Sequence, residues 1–284
     1  MINVVCMAMI GKLYDNHNHS QFSFDGKRTS VLAAAKEAAE KGLGGICFTD
    51  HCDFFVPAMK AEYENLQEEV FDVEAQQQEI SSAGLLVPSV KVLAGVEIGM
   101  YKACREQIRN FLSGHSFDQV TASVHYIDDT DPFYGGYYIG KDWKTAYGHY
   151  LETIYEEMTW LKDFDVMGHY DYVARYAPYE QESIFYRDFP DIFDAILKYL
   201  AEEGKALEIN TKSYQDYKGR RPVADKNILI RYKELGGEVI SLGSDSHDPA
   251  NVGRDFLKYA GMVKECGFRY LAHFEKRRLI QETI

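Results

Sequence analysis

Short apolar, β-branched stretches alternate along the chain with longer segments whose apolar residues recur at helical spacing. The short stretches predict strands over residues 12–16, 45–49, 91–97, 119–123, 165–168, 206–210 and 238–242. Between them the helical pattern predicts helices over 31–41, 58–80, 102–112, 143–162, 190–203, 225–235 and 255–266. The first of these shows how such a segment is bounded: Thr29 and Ser30 offer caps at its start, and Gly42 stops it. Repeated strand–helix units predict parallel strands joined by right-handed crossovers. Seven units in 284 residues point to a closed α/β barrel, since about 250 residues is the usual barrel size. A doubly wound open sheet is the alternative that the same elements could build. No Pro-, Gly- or Ser-rich linker, repeat or low-complexity tract divides the chain, so one domain over 1–284 is expected. Residues 1–10 would be a disordered N-terminal extension if Met7 or Met9 is the natural start.

Composition narrows the class. Hydrophobic residues make up 46% of the chain, ample for a packed core, and charged residues 26%, ordinary for a globular protein. No apolar run approaches the roughly 20 residues that span a bilayer, so no membrane association is expected. The mostly apolar residues 1–10 carry no Lys or Arg ahead of them and no small-residue cleavage site after them, which argues against a secretory signal. Cys6, Cys47, Cys52, Cys104 and Cys266 form no CxxC pair; they fit reduced thiols in a cytoplasmic protein, not a disulfide framework or thiolate zinc site. A net charge of −13, with a pI near 5.2, lacks the basic footprint that nucleic acid requires. Nucleic acid is therefore not an expected partner.

The chemistry gathers at the strand ends. His17 and His19 follow the first strand at i, i+2 spacing, which points both side chains to one face of an extended segment. The second strand leads to Asp50-His51, the third to Glu97, the fourth to His125 and the fifth to His169. The sixth ends Glu208-Ile209-Asn210, and the seventh runs into Asp245-Ser246-His247, another i, i+2 pair. Six of the nine histidines thus fall at or just beyond strand C-termini, the rim where barrels carry their catalytic residues. His115, His149 and His273 lack that context and read as structural. Imidazole mixed with carboxylate, without thiolate, suits Zn, Mn or Fe. The ligands exceed what one ion needs, and a carboxylate such as Glu97 could bridge two ions and so clamp attacking and leaving oxygens.

In order and spacing, His17-Asn18-His19, Thr49-Asp50-His51, Gly95-Val96-Glu97, Ser123-Val124-His125, Gly168-His169-Tyr170-Asp171, Glu208-Ile209-Asn210 and Ser244-Asp245-Ser246-His247 resemble the motifs of the PHP (polymerase and histidinol phosphatase) family. The resemblance is strongest to its histidinol-phosphate phosphatase branch and runs from about Leu13 to His247. It implies a distorted seven-stranded, TIM-like (β/α) barrel with two or three divalent ions. His17, His19, Glu97 and Asp245 resemble ligands of a first ion; Glu97, His125 and His169 those of a second, with Glu97 bridging; His51 and His247 those of a third. Asp25 matches that third ion's remaining ligand, although Asp25-Gly26 also reads as a plain turn. Arg175 matches an arginine that holds substrate phosphate.

After Asn210 the chain departs from the branch pattern, leaving Lys212, Arg220 and Arg221 as competing candidates for a second phosphate contact. The aromatic stretch 131–138 would wall the site or simply pack loop against helix. The implied activity is hydrolysis of a small phosphorylated substrate, L-histidinol phosphate of histidine biosynthesis, by metal-activated water. Glu97, Asp245 and His247 would be its catalytic groups. The alternatives are a related phosphoesterase acting on another small ester or a nucleotide, an amidohydrolase, and a non-catalytic metal-binding module. An amidohydrolase usually carries a bridging Lys on the fourth strand, where this chain has His125. The oligomeric state is not legible.

Overall fold

The structure is a computed structural model and describes residues 13–55 and 69–284. Its strands are β1 (Tyr14–Asn18), β2 (Gly45–Asp53), β3 (Glu69–Val70), β4 (Lys91–Gly99), β5 (Gln119–Ser123), β6 (Val166–Met167), β7 (Ala206–Asn210), β8 (Ile240–Gly243), β9 (Tyr270–Glu275) and β10 (Arg278–Thr283). The helices are α1 (Val31–Glu40), α2 (Val73–Leu86), α3 (Arg105–Gly114), α4 (Trp143–Leu161), α5 (Tyr172–Tyr176), α6 (Pro190–Glu202), α7 (Lys226–Glu234) and α8 (Phe256–Glu265). All strands join one sheet in the order β1-β2-β4-β5-β6-β7-β8-β9-β10, with β3 attached to β2. Neighbours from β1 to β9 are parallel; β10 on β9 and β3 on β2 are antiparallel. This is the α/β architecture that repeated strand–helix units dictate.

The core lies between strands and helices. Ile46 and Phe48 of β2, Val96 and Ile98 of β4, and Ala34, Ala35 and Ala38 of α1 are all fully buried. So are Ile196, Leu197 and Leu200 of α6, each stabilising the fold by roughly 1.5–3 kcal/mol. At the strand C-terminal rim the two sides of the sheet meet. The Asp245 N–H donates to His17 O at 2.8 Å, the His19 N–H to Ser246 O at 2.9 Å, and Asn18 bridges Ser246.

Several boundaries differ from expectation. The helix predicted over 58–80 lies outside the described residues up to 68, and the rest of it is broken. Glu69 and Val70 pair with Asp53 and Cys52, and α2 starts only after Asp72, whose side chain accepts the Ala75 N–H at 3.0 Å. The β-favouring Val70 and Phe71, the latter buried, outweigh helical spacing there. Strands β2 and β4 run on to Asp53 and Gly99, so His51 and Glu97 lie within strands instead of at their ends. The expected strand over 165–168 shrinks to two residues.

The β9–β10 hairpin was not expected. It covers the opposite end of the sheet, where Lys276 and Arg277 donate backbone N–H groups to Asp118, and Arg277 pairs with Asp163 and Asp165. The Asn16 amide donates to Ala272 O at 2.9 Å, and Tyr14 stacks on His273 at 3.6 Å. Cys47, Cys52, Cys104 and Cys266 are buried and unbridged; Cys6 and the expected extension over 1–10 lie outside the described residues. Among the described residues no helix is long and apolar enough to cross a membrane.

Candidate metal centre

Local backbone features aim the rim side chains inward. One extra residue between Asp15 and Asn18 bulges β1 against β2 where His17 sits. Gly243 opposes that histidine: a Cβ there would stand 2.5 Å from the His17 Cβ and 2.3 Å from Glu208 Oε1. Asp245 adopts φ +49°, a left-handed conformation that Asp tolerates better than most residues.

Glu97, fully buried, is the centre of the cluster. Its Oε2 lies 3.3 Å from His17 Nε2, 3.5 Å from His19 Nε2 and 3.0 Å from His51 Nδ1. Its Oε1 lies 3.2 Å from His125 Nε2 and 3.0 Å from His169 Nε2, and accepts the Ser123 hydroxyl at 2.6 Å. Asp245 Oδ1 is 3.4 Å from His19 Nε2. Beyond His19, whose ring stacks on His51 at 4.1 Å and His247 at 4.2 Å, Asp25 meets His247 Nε2 at 2.8 Å and His51 Nε2 at 3.8 Å. Four overlapping groups have donor atoms within 4.8 Å of one another: His19, His51, His247; His17, Glu97, His169; His17, His19, Asp245; and His51, Glu97, His125. All nine residues expected as metal ligands are therefore brought to one rim.

Hydrogen bonds set the imidazole faces. Glu208 Oε1 accepts from His17 Nδ1 at 2.7 Å while its Oε2 accepts the His169 N–H at 2.7 Å. Asp53 accepts from His125 Nδ1 at 3.1 Å. Ser23 Oγ donates to Asp50 at 2.9 Å and so receives His19 Nδ1 at 3.1 Å. In each case Nδ1 donates, so that in the neutral ring Nε2 turns a lone pair toward the cluster, the arrangement typical of metal-ligating histidines. His17 Nε2, His19 Nε2, His51 Nδ1 and Glu97 Oε2 are buried without a hydrogen-bond partner. Leaving such atoms unmet costs about 1–3 kcal/mol each, which a cation among them would recover. The donor set therefore fits divalent ions.

Electrostatics agree. Burial alone would raise the Glu97 carboxyl, but the imidazoles of His17, His125 and His51 outweigh it and hold it well below the usual range. Burial likewise opposes ionisation of Asp245, and Lys212 with the neighbouring histidines reverses it. His19 moves the other way, lowered by burial and by His51 and His247.

A cavity of about 350 Å³ opens onto the cluster, reaching His51, His125, His169, Asp245 and His247. Phe24, Phe133, Tyr134, Tyr172, Tyr176 and Tyr217 wall it, so the aromatic stretch divides: Phe133 and Tyr134 face the site, while Tyr137 and Tyr138 are buried with their hydroxyls donating to Ala146 O and Val173 O. Arg175 also lines it, its guanidinium 5.6 Å from the Tyr176 ring and 5.5 Å from the Tyr217 ring. It has no carboxylate partner among the described residues, and its Nε is buried and unmet. Lys212 lines the cavity too, 2.9 Å from Asp245 Oδ1 and 3.1 Å from His247 Nδ1. Arg220 is not on the lining: it donates to Tyr179 O at 2.7 Å and Ala174 O at 3.4 Å, bracing its own loop. Arg221 is exposed and paired with Asp216.

The structure adds residues that sequence reasoning assigned no role. Asp53 lies at i+2 from His51 on the same strand, and Glu208 had been noted only as a polar strand end. Alternation along β2 could have found Asp53. The expected histidines His115, His149 and His273 stay outside the cluster, bonded to Phe111 O, Asp128 and Glu275 respectively.

Comparison with known proteins places this geometry. The histidinol-phosphatase of Lactococcus lactis subsp. lactis is 35% identical over 269 residues, 94% of this chain and 96% of that one. A probable histidinol-phosphatase of Clostridium acetobutylicum is 32% identical over 267 residues, 93% of this chain and 98% of that one. The crystal structure of the Lactococcus lactis histidinol phosphate phosphatase, complexed with zinc, L-histidinol and phosphate, superposes with a TM-score of 0.83 at 33% identity. That match covers 95% of this chain and 99% of the other. The model of the PHP domain matches residues 15–212, a span that takes in His17, His51, Glu97, His125 and His169. The chain belongs to the PHP domain family.

Proposed function

We propose that the chain is a metal-dependent phosphomonoester hydrolase that converts L-histidinol phosphate and water to L-histidinol and inorganic phosphate. The observation that carries this reading is one cavity with two complementary ends. At its floor buried imidazole and carboxylate atoms converge without partners; on its wall Arg175 stands without a counter-anion among the described residues. The similarity to a relative holding zinc, L-histidinol and phosphate supports it across nearly the whole chain.

Two or three divalent ions, zinc, manganese or iron, are the cofactors of this reading. His17, His19, Glu97 and Asp245 would hold one; Glu97, His125 and His169 a second; His51, His247 and Asp25 a third. When bound, such ions activate water near neutral pH and neutralise charge on phosphoryl oxygens. Arg175 offers the phosphate a planar fork of N–H donors, and Lys212 a second positive charge. Charge developing on those oxygens strengthens both contacts toward the transition state. Asp245, held ionised, takes a proton from the water as it adds to phosphorus, and that proton passes to the alkoxide that leaves as the ester P–O bond breaks, with His247 beside the path. The buried, unbridged cysteines support a reducing, cytoplasmic setting.

The test is phosphate release from a panel of esters with purified, metal-loaded protein. L-histidinol phosphate should exceed p-nitrophenyl phosphate in kcat/KM by several tens-fold, about 2 kcal/mol in barrier, and chelator should abolish both. Equal rates across unrelated monoesters would remove the substrate assignment. A preference for diesters or nucleotides would remove the monoesterase reading itself.

A further inference from the structure

We propose that Asp131 selects substrates that carry an ammonium group beside the phosphate ester. The inference rests on the phosphomonoesterase reading and names the part of the cavity that discriminates among esters. Asp131 lines the cavity and caps the short turn Pro132–Tyr134. Its Oδ1 accepts the Phe133 N–H at 2.8 Å and the Tyr172 hydroxyl at 2.9 Å. Both bonds fall on the same oxygen, and Oδ2 has no partner among the described residues.

Tyr172 measures out the position of that free oxygen. Its ring centroid lies 5.6 Å from that of His125 and 5.2 Å from that of His169, and its hydroxyl ends on Asp131. The carboxylate therefore stands one phenol ring away from the imidazoles at the cavity floor. In a 2-aminoalkyl phosphate the nitrogen sits only a few bonds from phosphorus. A phosphate held at the floor and by Arg175 thus brings the ammonium within reach of Asp131.

The other carboxylates on the lining are already engaged, Asp25 with His247 and Asp245 with Lys212. Asp131 alone among them makes no direct ion pair within the described residues, and the His125 imidazole acts on it only through space. Burial pushes its carboxyl up to about 6, against the opposing pull of the Phe133 N–H, the His125 imidazole and the Tyr172 hydroxyl. Phe133, two residues further on, packs edge-on against Tyr176 at 5.2 Å, giving the rest of an aromatic substrate a flat wall.

The experiment compares wild type with Asp131→Asn on L-histidinol phosphate and on the same ester lacking the amino group, both with metal-loaded protein. Asn retains an oxygen that accepts from the Phe133 N–H, so the turn keeps its cap. Wild type should prefer the amine, and Asp131→Asn should lower kcat/KM for it by roughly 10–100-fold, mostly through KM. The loss on the amine should exceed that on the deamino ester about tenfold or more. Asp131→Glu, which restores the charge, should recover part of the preference. Equal losses on both esters would assign Asp131 to holding Tyr172 and the turn, and would overturn the inference. A wild-type enzyme that turns over both esters equally would overturn it while leaving the phosphatase standing. Hydrolysis of neither ester would remove both readings.

Discussion

Glu97 receives five imidazoles within 3.5 Å, so one carboxylate sets the charge balance of the whole rim. Glu97→Gln keeps the shape and removes the charge. Elemental analysis and phosphate release should show loss of bound metal and a fall in kcat/KM of about 100-fold or more, larger than for His51→Gln. Full metal and full rate in the Glu97 variant would end its central role. Arg175→Ala should raise KM and lower kcat/KM by roughly 10–100-fold, the worth of hydrogen bonds to a charged group. An unchanged kcat/KM would return Arg175 to a surface role. At this scale much of the site was legible, because i, i+2 spacing and strand-end position place His17, His19, Asp245 and His247 on one face whatever the loops do. The carboxylates that orient the imidazoles were not. Glu208 meets His17 across 191 residues of sequence, a contact that only strand order creates. Arg220 could not be sorted from Lys212, since the path of the loop after β7 decides which cation faces the cavity.

At the scale of elements, the parallel strands with helical crossovers were readable from alternating periodicity, and the seven expected strands are all present. The β9–β10 hairpin was not, because it follows the last strand–helix repeat and breaks the pattern that revealed the others. It is tied to the sheet by ion pairs. Arg277 reaches Asp163 and the buried Asp165 just ahead of β6. Arg277→Ala leaves Asp165 without its cation and should cost about 1–3 kcal/mol. For a chain of this size, that is roughly 2–10 °C in the melting temperature of the zinc-loaded protein. Bound metal should not change, because the hairpin lies at the end of the sheet opposite the histidines. Metal loss without thermal destabilisation would contradict that placement. Gly99 makes the complementary case at the rim: a Cβ there would stand 1.7 Å from Asp53 Oδ1, the partner of His125.

Across the whole molecule, cation uptake and protonation compete for the same atoms. Burial works to keep His51 neutral, yet Glu97 outweighs it and pushes the imidazole up to about 9; Asp53 and Glu97 raise His125 despite burial in the same way. In the stripped protein such groups stabilise the fold fully below their unfolded pKa, near 6.5, and that share is lost as pH rises toward 9. Cations displace those protons, so metal affinity grows with pH over the same range. The rise in melting temperature on adding zinc should therefore be larger near pH 8 than near pH 6. A smaller rise at the higher pH would reverse the sign of the coupling. The claim on which the rest depends is that the rim holds more than one ion, and the most direct measurement is elemental analysis of active protein purified without chelators. At least two equivalents of zinc, manganese or iron per chain are expected, since the ligands exceed what one ion uses. A single equivalent or none, with phosphatase activity retained, would contradict the account.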